Sequence, residues 1–250
     1  MIQYLILLAA AFFGGVSNAF AGGGTFLTFP ALLLAGVAPV KANATASLVL
    51  LPGAFASAWV YRDTLRKITA KSLGLLSATS FVGSLTGSIL LLVTSNSTFS
   101  ILVPWLLFVA TAVFTLAPWI RRVAMRRHGH ESFAALLLGQ LVISTYGGYF
   151  GAGMGVLMIA LYLVATNLDV HSASGLRMFC ACLINTLAVA IFAWRGALDY
   201  RVGVPMLALG VIGGYIGAIL VKRLNAQHAR IAILTYAWVL TVWFFGRQYV

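Results

Sequence analysis

Long apolar runs, separated by short polar or glycine-containing stretches, cover almost the whole chain. We mark ten segments: 2–21, 24–38, 43–61, 72–94, 99–120, 133–150, 154–167, 173–194, 202–221 and 231–247. Most are long enough to cross a hydrocarbon core of about 30 Å as α-helices. The pattern therefore predicts an all-α polytopic membrane protein. We interpret the first run as a membrane segment rather than a signal peptide, because no Lys or Arg precedes it.

The two halves of the chain resemble each other when the sequence is shifted by 130 positions. The shift overlays Phe20 on Phe150, Gly23 on Gly153, Leu27 on Leu157, Val40 on Val170 and Lys71 on Arg201. We therefore predict two homologous repeats of four to five membrane segments each, residues 1–120 and 133–250, with a basic cytoplasmic linker over 121–132.

The shift also overlays two pairs of glycines that are spaced four residues apart. Gly83 and Gly87 fall on Gly213 and Gly217. This spacing lets helix backbones approach closely in membranes. We expect the glycines to serve packing, either within one chain or in a homodimer.

A glycine-rich stretch interrupts the apolar pattern at the same place in each half, over 20–24 and 150–155. The short segment that follows each is either a re-entrant half-helix or the far arm of one broken helix. If each break joins two crossings or forms a re-entrant hairpin, the repeats are inverted; if each break lies within a single crossing, the repeats are parallel. Both arrangements leave eleven basic residues inside. We favour inverted repeats, since half-helices that enter from opposite sides can meet at one site. Both alternatives place the loops at 62–71 and 121–131 in the cytoplasm.

Composition and charge fit a membrane protein. The chain is 62% hydrophobic and 8% charged, with a mean hydropathy of +1.01, whereas a soluble domain carries about 25% charged residues. The net charge of +12 comes from basic residues in short loops, as the positive-inside rule requires. We expect the lipid bilayer, not nucleic acid, as the partner. Cys180 and Cys182 point to different faces of a helix, which favours packing.

The glycine breaks also predict chemistry. A break leaves the first N–H groups of the next helix without partners, and the positive end of the helix dipole suits an anion. The anion cradle predicted in this way comprises Gly22, Gly23, Gly24, Thr25, Gly151, Gly153 and Gly155. The alternative is that these glycines only permit close helix packing.

Polar residues near the start of each third segment extend this predicted substrate site. They are Asn43, Thr45, Ser47, Ser174, Arg177 and Asn185. Hydroxyl and amide groups here are either helix N-caps or donors to an anion. Arg177 lies more than a turn inside an apolar run, where it either snorkels to the interface or faces the anion.

The residues needed for most enzymatic or ATP-driven chemistry are missing from the sequence. The acidic residues Asp63, Glu131, Asp169 and Asp199 all fall in predicted loops. The sequence contains no metalloprotease, serine-hydrolase or Walker A motif. We therefore expect a protein that is not an enzyme and that needs no cofactor or metal. His171, beside Ser172 and Ser174, is the one candidate for a nucleophilic centre, and a coupled proton would use His171 or travel on the substrate.

Two stretches carry a family resemblance that spans both halves. The segments AGGGTFLTFPALLLAGVAPVKANATASLVLLPG (21–53) and YGGYFGAGMGVLMIALYLVATNLDVHSASGLRMFCACLIN (146–185) resemble the TauE/SafE sulfite exporter family. Two positions depart from the family pattern. Ala46 stands where an amide often follows Thr45, and Arg177 stands where a lysine is common, so a planar fork suited to oxyanions replaces a point charge.

The resemblance implies a multi-pass transporter in the bacterial inner (plasma) membrane. It implies a secondary carrier of small anions such as sulfite, organosulfonates and related sulfur-containing or carboxylate anions. Together with the two matching glycine breaks, we predict export by alternating access around a site between the breaks. The alternatives are an anion channel, which would use the same helix dipoles, and a membrane-embedded enzyme.

Overall fold

The computed structural model describes residues 2–21, 23–126, 133–220 and 226–249. Over these residues the chain forms ten α-helices and one 3-10 helix, Arg62–Lys67, and no strand. The helices are α1 (Ile2–Ala21), α2 (Thr25–Leu34), α3 (Pro39–Val60), α4 (Ala70–Val93), α5 (Asn96–Arg126), α6 (Phe133–Tyr149), α7 (Met154–Ala165), α8 (Val170–Trp194), α9 (Tyr200–Leu220) and α10 (Ala226–Tyr249).

The predicted segments correspond to these helices, with differences at the ends. Helix α3 begins at Pro39 rather than at 43, because proline suits the first turn of a helix. Helix α8 begins at Val170, where Asp169 accepts a hydrogen bond from the Ser172 N–H (2.7 Å). Helix α5 continues to Arg126, so the first half of the predicted linker is helical, whereas 127–132 lie outside the described residues.

Five helices of the described chain (α3, α4, α5, α8 and α9) are long and apolar enough to cross a membrane. Their outward faces carry large apolar side chains such as Trp59, Val93 and Trp194, which suits contact with lipid. Helices α2 and α7 have only 10 and 12 residues. At 1.5 Å per residue they reach about half-way across the hydrocarbon core.

The chain reverses direction at each glycine-rich stretch. A Cβ on Gly14 of α1 would lie 2.7 Å from the Thr28 side chain of α2, and one on Gly139 of α6 would lie 2.6 Å from Leu161 of α7. Helices α1 and α2 therefore form one hairpin, and α6 and α7 form another. The first turn lies beside Leu50, midway along α3, since a Cβ on Gly24 would be 2.7 Å from that side chain.

Helices α3 and α8 pack against each other in antiparallel directions. The ring of Tyr61, just beyond the end of α3, lies 5.4 Å from the ring of His171 at the start of α8. The loop that follows α3 and the loop that follows α8 are therefore at opposite ends of this pair.

Glycines bring two further helix pairs into backbone contact. Helix α4 packs along α6 and α1 packs along α9. At the α4–α6 contact, a Cβ on Gly87 would lie 2.8 Å from the backbone nitrogen of Tyr149 and would overlap the Thr145 carbonyl. At the α1–α9 contact, a Cβ on Gly213 would overlap the Phe12 carbonyl. Gly83, Gly87 and Gly213 thus pack closely against other helices of the same chain, as predicted. The homodimer stays a prediction.

A buried amide ties α3 to the end of α6. Asn43 is 1% exposed, and its Nδ2 donates to the Tyr149 carbonyl at 2.9 Å. That carbonyl belongs to the last turn of α6, where no later helical N–H can reach it. The Asn43 side chain therefore satisfies a backbone group beside the second glycine turn.

A methyl group at the α4–α6 contact should destabilise the fold. We expect Gly87→Ala to lower the free energy of unfolding by about 1–3 kcal/mol, since backbone has to move. Gly74→Ala on the same helix meets nothing within 4 Å and should stabilise by up to about 1 kcal/mol through helix propensity. Thermal unfolding of both purified variants in detergent checks this, and equal melting temperatures would contradict it.

Loss of the Asn43 amide should leave the Tyr149 carbonyl without a partner. We expect Asn43→Ala to lower the free energy of unfolding by about 1–3 kcal/mol, the usual effect of an unsatisfied buried group. Asn96→Ala is the matched control, because Asn96 also bonds a backbone group, the Val40 N–H, but at an exposed site. If the two variants have the same melting temperature, the hydrogen bond from Asn43 to the Tyr149 carbonyl does not stabilise the fold.

Candidate functional site

The two glycine turns and the middle parts of α3 and α8 enclose a cavity of about 60 Å³. That volume is enough for a few water molecules or for a small anion. Its polar and glycine lining consists of Asn18, Thr25, Ser47, Gly151, Gly155, Arg177 and Asn185. The apolar lining consists of Leu50, Ala54, Phe150, Met154, Met178 and Ala181.

The structure brings six of the predicted site residues together around this cavity. They are Thr25, Ser47, Gly151, Gly155, Arg177 and Asn185. These residues come from both halves of the chain and from both hairpins. Gly22 lies outside the described residues.

Three predicted glycines lie at the turns without lining the cavity. Gly23 is buried against Ser17 and Ile233, and a Cβ on Gly24 would lie 2.6 Å from the Gly14 carbonyl oxygen of α1. Gly153 has φ +76° and faces Ala110 of α5. A positive φ strains other residues, so glycine is needed for this turn.

The other three predicted residues are occupied with backbone groups elsewhere. Asn43 holds the Tyr149 carbonyl as described above. Thr45 Oγ1 accepts a hydrogen bond from the Asp199 N–H (3.0 Å) just before α9, and Ser174 Oγ donates to the Val170 carbonyl one turn back (2.7 Å). The N-cap alternative is wrong for Asn43 and Ser174, because α3 and α8 begin one turn earlier.

Arg177 has an unusual environment for a charged side chain. Its Nη2 lies 3.3 Å from the Met178 sulfur, a weak acceptor, and its Nε is buried with no hydrogen-bond partner. The ion pair found among the described residues joins Arg66 to Asp63 and does not involve Arg177. The guanidinium therefore has a hydrogen-bond donor and a full charge to offer inside the protein.

Glycine at position 155 makes room for this guanidinium. A Cβ on Gly155 would lie 2.6 Å from Arg177 Nη1. Gly155 is also the second residue of α7, and Thr25 is the first residue of α2. Both residues lie in the first turn of a helix. There the N–H groups have no acceptor within the helix, and the helix dipole is positive. The cation and two helix N-termini thus border one cavity.

Sequence reasoning missed several lining residues, of which Asn18 is the most polar. Asn18 lies within the apolar run of α1, one turn before the first glycine stretch. An amide inside an apolar run was the signal that identified Asn185, and it applies equally to Asn18. The apolar members Phe150, Met154 and Met178 carry no such signal, because an apolar side chain does not stand out in an apolar membrane helix.

The candidate nucleophilic centre is not assembled in the structure. His171 is exposed and packs on Tyr61. Ser172 is buried with an unpartnered Oγ, and Ser174 Oγ donates to backbone. The exposed imidazole and these hydroxyls do not form the base–nucleophile hydrogen bond that activates a serine.

Several proteins named as probable membrane transporters match most of this chain. A protein of Haemophilus influenzae named "Probable membrane transporter protein" is 26% identical over 239 residues, which cover 94% of this chain and 92% of that protein. "Probable membrane transporter protein YfcA" of Escherichia coli K12 is 26% identical over 236 residues, 94% of this chain and 87% of the relative. "Probable membrane transporter protein ORF9" of a Sinorhizobium species is 27% identical over 214 residues, which cover 85% of this chain and 80% of the relative.

The family profile described as Sulfite exporter TauE/SafE matches residues 7–244. This match covers most of α1, all of α2, α3 and α6 to α8, and every residue that lines the cavity. The chain is a multi-pass membrane protein that belongs to the TauE/SafE family.

Proposed function

We propose that this protein is a secondary-active transporter of small anions, such as sulfite, organosulfonates or related sulfur-containing and carboxylate anions. The observation that carries the proposal is the half-buried guanidinium of Arg177, whose buried Nε has no hydrogen-bond partner and which has no ion-pair partner among the described residues, in a cavity bordered by two helix N-termini. An uncompensated charge inside a membrane protein is costly, and a bound anion would satisfy it. The names of the relatives, all membrane transporters, support transport rather than catalysis.

We further propose that the two halves are inverted repeats. Helices at corresponding places begin close to 130 residues apart: Ile2 and Phe133, Thr25 and Met154, Pro39 and Val170, Ala70 and Tyr200, Asn96 and Ala226. Helices α3 and α8, which this shift pairs, run antiparallel. Thr111 and Thr241 are also paired by the shift, and their Oγ1 atoms lie 3.3 Å apart. Contact between counterparts is expected where a two-fold axis passes through the molecule.

Inverted repeats supply a mechanism for transport. Each hairpin places its turn beside the middle of a long helix, and the cavity lies between the two turns. In such folds alternating access arises when one repeat rocks against the other around a fixed central site. The arrangement supports alternating access for this protein, with export from a bacterial inner membrane as the proposed direction and place.

Removal of the guanidinium should strongly weaken anion binding while the fold persists. In proteoliposomes preloaded with sulfite, we expect saturable counterflow by the wild-type protein. Arg177→Ala should weaken the binding free energy of sulfite by about 3 kcal/mol, which is roughly 100-fold in affinity. This is the usual effect of removing one partner of a buried charge pair. Arg195→Ala is the control, since Arg195 is an exposed arginine beside Trp194. Unchanged counterflow by Arg177→Ala would contradict the proposal, and flux without saturation would indicate a channel.

The inverted topology predicts opposite exposure of two loops. In a variant with Cys180 and Cys182 replaced by alanine, Asp63→Cys should react with a membrane-impermeant thiol reagent from the cytoplasmic side. Arg195→Cys should react from the other side, because the loops after α3 and α8 lie at opposite ends of an antiparallel pair. Labelling of right-side-out and inside-out vesicles measures this. Reaction of both cysteines from one side would require parallel repeats instead.

A further inference from the structure

Two polar side chains that line the cavity each donate a hydrogen bond to a backbone carbonyl of their own helix. Ser47 Oγ donates to the Asn43 carbonyl one turn earlier (3.2 Å). Asn185 Nδ2 donates to the Ala181 carbonyl, also one turn earlier (2.9 Å). Both residues line the cavity. These bonds fix what each side chain can still offer to a ligand.

The Ser47 hydroxyl can now only accept a hydrogen bond. A hydroxyl has one hydrogen, and the Asn43 carbonyl takes it. The Asn185 bond also fixes the orientation of its amide, because only the NH₂ group can donate to the Ala181 carbonyl. The Asn185 Oδ1 atom is therefore a second acceptor at the cavity wall. A ligand made of acceptor oxygens alone would meet these two atoms unfavourably.

Donors and acceptors stand at different levels of the cavity. Ser47 and Asn185 are level with each other on the antiparallel pair α3 and α8, whereas Arg177 is eight positions before Asn185 on α8. Eight residues correspond to about 12 Å of helix rise between the Cα atoms, and the long arginine side chain bridges part of it. The cavity thus has a donor-rich end at Arg177 and Gly155 and an acceptor end at Ser47 and Asn185.

We propose that the anion bound in this cavity carries a hydrogen-bond donor of its own. Its oxyanion head would occupy the end at Arg177, and its O–H or N–H group would donate to Ser47 Oγ and Asn185 Oδ1. The donor is either the acid hydroxyl of a singly protonated oxyanion or a group on a short organic tail. This inference rests on the proposed function and narrows its substrate class.

The experiment compares matched anions that differ in the donor. Binding to the purified protein in nanodiscs is measured by calorimetry at mildly acidic pH for hydrogensulfite against methanesulfinate, and for 2-hydroxyethanesulfonate against propane-1-sulfonate. In each pair a hydroxyl is replaced by a methyl group. We expect the donor-bearing anion to bind about tenfold more tightly in at least one pair, the effect of one hydrogen bond. The pair that shows the preference identifies whether the donor is the acid hydroxyl or the tail.

Variants connect the preference to the two acceptors. Ser47→Ala and Asn185→Leu should each reduce the preference to about twofold or less. Ser77→Ala is the matched control, since Ser77 is a half-buried serine that donates to the carbonyl one turn back (2.8 Å) but lies on α4 away from the cavity; it should keep the wild-type preference.

The outcomes separate this inference from the proposed function. Equal binding of both members in both pairs would overturn the inference and leave an anion site. A preference that survives both variants would also overturn it, because other groups would then recognise the donor. Absence of binding by all four anions would overturn the proposed function together with the inference.

Discussion

Backbone groups at two chain reversals inside an apolar protein must find partners, and much of the structure depends on how they do so. In hydrocarbon an unpaired N–H or C=O group is costly, so irregular backbone persists only where protein or water covers it. At the second turn Asn43 holds the Tyr149 carbonyl and the Tyr146 hydroxyl donates to the Ala152 carbonyl (2.6 Å). At the first turn Thr28 Oγ1 donates to the Gly24 carbonyl (3.2 Å). These bonds hold the hairpin turns beside the centre of the molecule.

The same requirement explains why the cavity is polar. Helices α2 and α7 begin at the turns, and Thr25 and Gly155 in their first turns line the cavity, at positions whose N–H groups precede the helical hydrogen-bond pattern. Glycine keeps this space open, since a Cβ on Gly155 would displace the Arg177 guanidinium. Under the proposed repeat relation Ser47 is the counterpart of Arg177. The two halves therefore contribute unequally, one with a cation and the other with an acceptor oxygen, and an asymmetric ligand suits such a site.

Helix packing around the cavity depends on small residues. Contacts at Gly87 on α4 and Gly213 on α9 leave no room for a Cβ, so the backbones of each hairpin's first helix and its neighbour touch directly. In lipid, where water does not drive helices together, such close contact is the main source of association. Long helices α4 and α9 can thereby hold the hairpins in place while α3 and α8 line the cavity.

The sequence by itself determined the ten apolar segments that form helices in the described residues, their approximate limits, the membrane class and the positions of the two glycine breaks, because apolar periodicity and glycine act locally. It also identified Arg177, Asn185 and the residues at the turns that line the cavity, since a polar group in an apolar run needs a partner wherever it lies. Tertiary structure alone decided that Asn18 joins them, that Asn43 and Thr45 bind backbone of distant segments, and that α3 and α8 run antiparallel. Those facts depend on contacts between residues more than 100 positions apart. Loop charges could not predict the relative direction of α3 and α8, because the inverted and the parallel arrangement both leave eleven basic residues inside.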